Sequence, residues 1–309
     1  FFRRQHLWCH LLIEENTSCD FLCPELGNAF ADVISGKYSP AGRLAQTWYK
    51  SEYELAPIEC YDIIENDMTY LYYRGKPLYP FGYGLSYAKF EYSDFDVKEN
   101  GDVISVSLDV TNVSETDSDE VVQIYFRMEN PSVKRPLRQL VAFARERIEC
   151  GRTRHFEFDI KKSELRFYDV SRERFAVEQG RYTFMAGASS EDIRLTKTID
   201  VSGEIIPPRE LCKGVKAKNY DGKYGTKMKY SKKLEQHYML GGGLIYNNCV
   251  LGEADSIEIV CGSRVNTGKI TVRYGGETLC EAEVKPTVDV TEFETVTAQF
   301  DKAVLAGID

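Results

Sequence analysis

Apolar and polar residues alternate with period two through much of this chain. Ile104, Val106, Leu108 and Val110 alternate with Ser105, Ser107 and Asp109, the pattern of a strand with one buried face. Val122, Ile124, Phe126 and Met128 predict a second strand, and Phe156, Phe158 and Ile160 a third. Tyr182, Phe184 and Ala186 predict a fourth, and residues 193–201 a fifth. Turn residues separate them: a polar run at 115–119, Gly151 and Gly180. Short alternating strands over ~110 residues imply an antiparallel sandwich. Further strand patterns follow at Ile257/Ile259, at Ile270/Val272/Tyr274 and at Val296/Ala298/Phe300. Upstream, residues 28–35 predict a helix capped by Asn28 and ended by Gly36. Residues 39–42 predict a turn, and residues 44–49 a strand.

Between helix and sandwich, residues 77–87 (PLYPFGYGLSY) fit neither period. Pro77 and Pro80 fix φ and remove backbone donors, while Gly82 and Gly84 admit angles closed to other residues. Tyr79, Phe81, Tyr83 and Tyr87 add large apolar faces with polar tips. Such a segment is a stiff buried connector, with Phe81 and Tyr83 expected where it packs the preceding segment onto the sandwich.

Together with GNAFADVISGKYSPAGRLAQTWYKS (27–51) and MTYLYYRGK (68–76), this elbow resembles the second domain of family 3 glycoside hydrolases, the β-glucosidases and β-xylosidases. Tyr38, Pro40, Gly42, Arg43 and Leu44 match that pattern. Trp48 stands where the family usually has Phe, and Met68 and Leu71 where it usually has Arg. Residues 112–195, with the order NxxxxxxxEVVQIY, PxRQLVAFxR, LRFYD and GRYTFMAGASSEDIRL, resemble the fibronectin type III-like domain of the same enzymes. Residues 213–309 resemble a family 6 carbohydrate-binding module, with Tyr238, Tyr246 and Asn247 as the ligand-binding candidates. Where such modules open with acidic residues that help hold calcium, this chain has Lys216-Ala217-Lys218, which argues against a metal there.

The resemblance implies a mainly β chain. It consists of the remnant of an α/β sandwich domain (1–88), a fibronectin type III-like domain (89–202), a linker marked by Pro207-Pro208 (203–212), and a jelly-roll-like β-sandwich (213–309). It implies the C-terminal part of an exo-acting retaining β-glycosidase. The family's nucleophile belongs to a barrel of about 250 residues, for which there is no room here. No catalytic residue is therefore expected within the chain, which would be inactive alone; its partner is an oligosaccharide or β-glycoside met through the full-length enzyme. The alternative is a non-catalytic carbohydrate-binding or scaffolding protein. A severed half-domain favours the first reading.

Composition narrows this little. The chain has 309 residues, is 43% hydrophobic and carries a net charge of −9. This disfavours nucleic acid as a partner. No apolar run is long enough to span a membrane. The nine cysteines are scattered without metal or disulfide spacing, as in a reduced cytoplasmic protein, and no signal peptide is evident. No metal or cofactor is expected. Glu25 and the group Asp62, Glu65 and Asp67 are weighed as acids and read as loop carboxylates. His155 reads as a strand histidine. The eight lysines between 213 and 233 read as a solvated face, and Gly241-Gly242-Gly243 as a loop rather than a phosphate cradle. Tyr70, Tyr72, Tyr73, Tyr79 and Tyr83 offer faces to sugar rings, but rings interleaved with Pro and Gly more often pack a seam.

Overall fold

The computed structural model describes residues 26–58, 60–225, 227–231, 236–240, 242–263, 267–287 and 292–305. The chain divides into two compact units at Ile206/Pro207.

Among the described residues, the first unit is organised by nine strands: β1 (Phe90–Asn100), β2 (Val103–Asn112), β3 (Ser118–Met128), β4 (Gln139–Ile148), β5 (Thr153–Lys161), β6 (Phe167–Asp169), β7 (Arg174–Ala176), β8 (Gly180–Gly187) and β9 (Ile193–Val201). β1, β2 and β5 form one sheet in that order, and β4, β3, β8 and β9 a second. All neighbours are antiparallel, and β6 and β7 make a separate hairpin. The inward residues of the two sheets share one core. Ile104, Val106, Leu108 and Val110 from β2 meet Val122, Ile124 and Phe126 from β3, with Tyr182, Phe184 and Ala186 from β8. Each fully buried aliphatic or aromatic side chain here contributes about 1.5–3 kcal/mol.

The alternation expected for β2 is present residue by residue. β3 differs. Its inward residues are buried, but so are Val121, Gln123 and Tyr125 on the outer face. The segment before the sandwich lies across that part of the face, so from Val121 to Tyr125 a strand patterned as half-buried has no solvent side.

That segment is largely irregular. Helix α1 (Leu26–Ile34) begins before Asn28, which therefore lies inside it rather than capping it. Gly36 ends it with φ +76°, its N–H reaching Val33 O at 3.0 Å. No turn forms at residues 39–42, where Ser39 and Ala41 are buried instead. No regular strand forms at 44–49. Leu44 and Trp48 instead exchange backbone hydrogen bonds with Gly82, Tyr83, Leu78 and Tyr79 of the elbow, four of them at 2.7–2.9 Å. Two prolines and two glycines within eight residues prevent a continuous ladder there, leaving one isolated bridge between Trp48 and Tyr79. A single helical turn, α2 (Thr69–Tyr72), precedes the elbow.

The second unit contains short antiparallel pairs, including Ser256–Cys261 with Glu294–Gln299 and Gly268–Tyr274 with Glu277–Val284. Leu279, Cys280 and Phe300 form its small core.

Candidate functional site: the seam on the outer face of β3

The elbow reaches the sandwich through polar and aromatic contacts that the sequence places far apart. Gln123 projects outward from β3 and is nearly fully buried. Its Nε2 donates to Gly82 O at 3.1 Å and to Ala188 O at 2.6 Å, and its Oε1 accepts from Tyr125 Oη at 2.5 Å. Gly82 has φ +78°, and a Cβ there would stand 2.0 Å from Gln123 Oε1. Glycine is thus required twice over, by conformation and by space. Phe81 stacks on Tyr70 with ring centroids 4.1 Å apart, and Tyr70 meets Tyr125 edge-on at 6.2 Å. Ser190 N donates to Phe81 O at 2.9 Å. Burial raises the phenol pKa of both Tyr70 and Tyr125, so both stay neutral hydrogen-bonding groups.

A buried ion pair closes one end. Arg43 Nη2 lies 3.1 Å from Glu120 Oε2, with the two side chains 11% and 2% exposed. Tyr92 Oη donates to Glu120 Oε1 at 2.8 Å. Burial pushes the Glu120 carboxyl above its ordinary range, against the pull of the Arg43 guanidinium. The hydroxyls of Ser39, Ser86 and Ser118 join beside it, at 2.8–3.2 Å from one another. At the other end Lys134 pairs with Asp67 at 2.8 Å, and Leu137 N donates to Leu71 O at 2.7 Å. Every charged group named here is engaged by the protein itself, so the seam is built to hold two segments together.

The tyrosines weighed for sugar contact pack this region. Tyr72 is buried under Lys134. Tyr73 donates to Glu54 at 2.7 Å, and burial together with that carboxylate pushes its phenol up to about 12. Tyr79 and Tyr83 lie against each other at 5.1 Å. Asp62 organises its own loop, accepting from Ile64 N and Glu65 N. His155 sits on the exposed face of β5 with Nδ1 2.5 Å from Asp109 Oδ1, a hydrogen bond that raises its pKa. Glu25 lies outside the described residues. So do Gly241 and the side chains of the lysines at 227–233.

In the second unit Tyr246 and Asn247 flank Asp221: Asn247 N donates to Asp221 Oδ2 at 2.6 Å, and Arg209 lies over the Tyr246 ring at 5.2 Å. Tyr246 Oη donates to Ala217 O at 3.1 Å. Tyr238 falls in the strand Gln236–Leu240, whose side chains are outside the described residues. No group of three or more His, Cys, Asp or Glu side chains is arranged to hold a metal among the described residues.

The sequence reading did not single out Gln123, Glu120 or the pairing of Glu120 with Arg43. Its available signal was the placement of Glu and Gln within the apolar run EVVQIYF, since a polar residue inside a strand core needs a partner brought from elsewhere.

The two antiparallel sheets over one core have the layout of a fibronectin type III-like sandwich, with an aromatic and ionic seam along β3. Comparison with known proteins agrees. Residues 21–87 match the glycosyl hydrolase family 3 C-terminal domain, and residues 120–190 the fibronectin type III-like domain. Two stretches of the chain are thus similar to domains found at the C-terminal end of glycoside hydrolase family 3. It is 35% identical over 197 residues to thermostable β-glucosidase B of Acetivibrio thermocellus, covering 58% of this chain and 26% of that protein. It is 34% identical over 192 residues to a xylan 1,4-β-xylosidase of Xylanibacter ruminicola, covering 59% and 22%. The Kluyveromyces marxianus β-glucosidase, solved in complex with glucose, superposes with a TM-score of 0.54 at 32% identity, covering 57% of this chain and 23% of that one. The Bifidobacterium adolescentis family 3 β-glucosidase gives a TM-score of 0.55 at 31% identity, covering 58% and 28%. The chain thus spans about a quarter of the length of these relatives. No helix among the described residues is long and apolar enough to cross a membrane.

Proposed function

We propose that this chain serves as the non-catalytic C-terminal part of an exo-acting retaining β-glycosidase. In this reading, residues 89–201 are a platform and residues 26–88 the surface through which it docks on the rest of the enzyme. The observation that carries it is the exposure of large apolar side chains on the segment that matches the family 3 domain. Ile34, Tyr53, Ile58 and Tyr61 are 70–91% exposed. Apolar area of this kind marks a surface made for a partner. Hydrolysis by retention needs two carboxylates about 5–5.5 Å apart. The seam's own buried carboxylate is held by Arg43 and Tyr92, so the reading assigns that pair to the docked remainder. β-Glucosides and β-xylosides are the substrate classes suggested by the relatives. The reducing cytoplasm is the proposed location, supported by six free cysteines among the described residues. Residues 213–309 are proposed as a glycan-binding module through Tyr238, Tyr246 and Asn247, a role supported by the exposure of Asn247 beside the partly exposed ring of Tyr246.

The test is an assay of the chain on nitrophenyl β-glucoside and β-xyloside, alone and mixed with a family 3 catalytic region lacking its own C-terminal part. No turnover alone, recovery on mixing, and loss of recovery in Ile58→Asp/Tyr61→Asp are expected. Turnover by the chain alone, abolished by a point mutation within it, would overturn the proposal.

A further inference from the structure

The elbow covers only part of the outer face of the four-stranded sheet. Beyond Tyr125, toward β9, the face opens into a groove of about 460 Å³. Strand register builds its floor: Arg127 on β3 stands opposite Thr183 on β8, which stands opposite Thr198 on β9, and Met185 stands opposite Thr196. Arg138, from the stretch before β4, and Glu191, from the loop before β9, form the wall.

We propose that this groove binds the end of a neutral saccharide, one or two rings long. Its volume falls within the usual range of small-molecule sites, roughly 300–1,000 Å³. Its charges cancel in pairs. Arg127 Nε lies 2.9 Å from Glu129 Oε1, and Arg138 Nη1 lies 2.7 Å from Glu191 Oε1. An anion would have to displace a carboxylate from one of these arginines. A polyol does not: guanidinium donors and carboxylate lone pairs left over by each ion pair can serve adjacent hydroxyls. Thr183 and Thr198, whose hydroxyls are 2.8 Å apart, add a row of short hydroxyl groups. Thr183 also donates to Glu129 at 2.6 Å, which fixes that carboxylate at the groove edge. Met185, Leu137 and Ile193 supply apolar surface for the C–H faces of a pyranose. No aromatic ring lines the groove, so binding is weak and rests on hydroxyl geometry.

The choice of sugar rests on the glycosidase reading above. The binding measurement uses no activity, so the two fail separately. The intact chain is titrated with cellobiose and with xylobiose while its amide NMR signals are followed. Saturable shifts at Thr183, Met185, Thr196 and Thr198 are expected. Thr196→Trp, which fills the groove from an exposed position, and Glu191→Ala, which unpairs Arg138, should each weaken binding about tenfold or more. Sodium sulfate should not compete. Absence of saturable shifts, shifts unchanged in both variants, or displacement by sulfate would each overturn the proposal.

Discussion

The sandwich and the segment preceding it solve the same problem in opposite ways. Residues 89–201 bury their apolar residues in their own core and leave four large ones exposed among those described: Val113, Phe143, Tyr168 and Phe175. Residues 26–88 make a shorter stretch, yet expose eleven: Ile34, Tyr38, Tyr53, Leu55, Ile58, Tyr61, Ile63, Ile64, Leu78, Leu85 and Tyr87. The sandwich is stabilised from within. Among the described residues the segment is stabilised from one side, by the seam on β3, and its other side carries these exposed side chains. Burial of β3 on both faces follows from the same arrangement.

Substitutions can break or sharpen this contrast. The largest effect belongs to the sandwich core. Phe184→Ala removes a fully buried ring, and urea unfolding should show a loss of about 3–5 kcal/mol. At the seam, Arg43→Ala leaves the Glu120 carboxylate buried without its cation. Opening of the seam, read from amide exchange of Leu44 and Gly82, should become easier by about 3 kcal/mol, and Arg43→Met/Glu120→Leu should recover most of it. Phe81 is stacked but only half-buried, so Phe81→Ala should cost about 2 kcal/mol rather than the full value of a core ring. Tyr53→Ser and Ile58→Ser touch side chains that are 91% and 86% exposed, and their melting temperatures should stay within the range of about 0.5 kcal/mol.

The smallest effect is pH-dependent. Glu204, where the chain leaves the sandwich, is held by Arg174 and Arg172, and hydrogen bonding from Arg174 lowers its pKa from 4.5 to about 2. A depressed carboxylate stabilises the folded state above its unfolded pKa and loses that contribution as pH falls through the folded one. Wild type should therefore lose a small increment between pH 4.5 and about 2 that Glu204→Gln does not show.

Much of the sandwich was legible because a solvent-facing strand writes its environment as alternation. β2 is the clear case. β3 was legible as a strand but not as a doubly buried one, because what covers its outer face arrives from residues 69–84. β4 was not picked out by pattern, since only its second half alternates, and β6 and β7 are too short at three residues each to show a period. The helix was placed two residues late because Asn28 looks like a cap. Residues 44–49 have strand composition, but their hydrogen-bond partner is a Pro- and Gly-punctuated elbow that permits only a broken ladder. The elbow's role as aromatic connector was readable from its own residues. The Gln123–Gly82 and Arg43–Glu120 contacts were not, because each joins residues that only the fold brings together, and neither was the groove, whose threonines come from two different strands.

The most direct test of the central claim is side-chain footprinting by hydroxyl radicals, on the chain alone and on the chain assembled with a family 3 catalytic region. Tyr53 and Tyr61 should react readily in the chain alone and become protected on assembly, while Tyr168 and Phe175 of the sandwich stay as reactive as before. Continued reactivity of Tyr53 and Tyr61 in an assembled, active enzyme, or protection of Tyr168 and Phe175 in their place, would contradict the account.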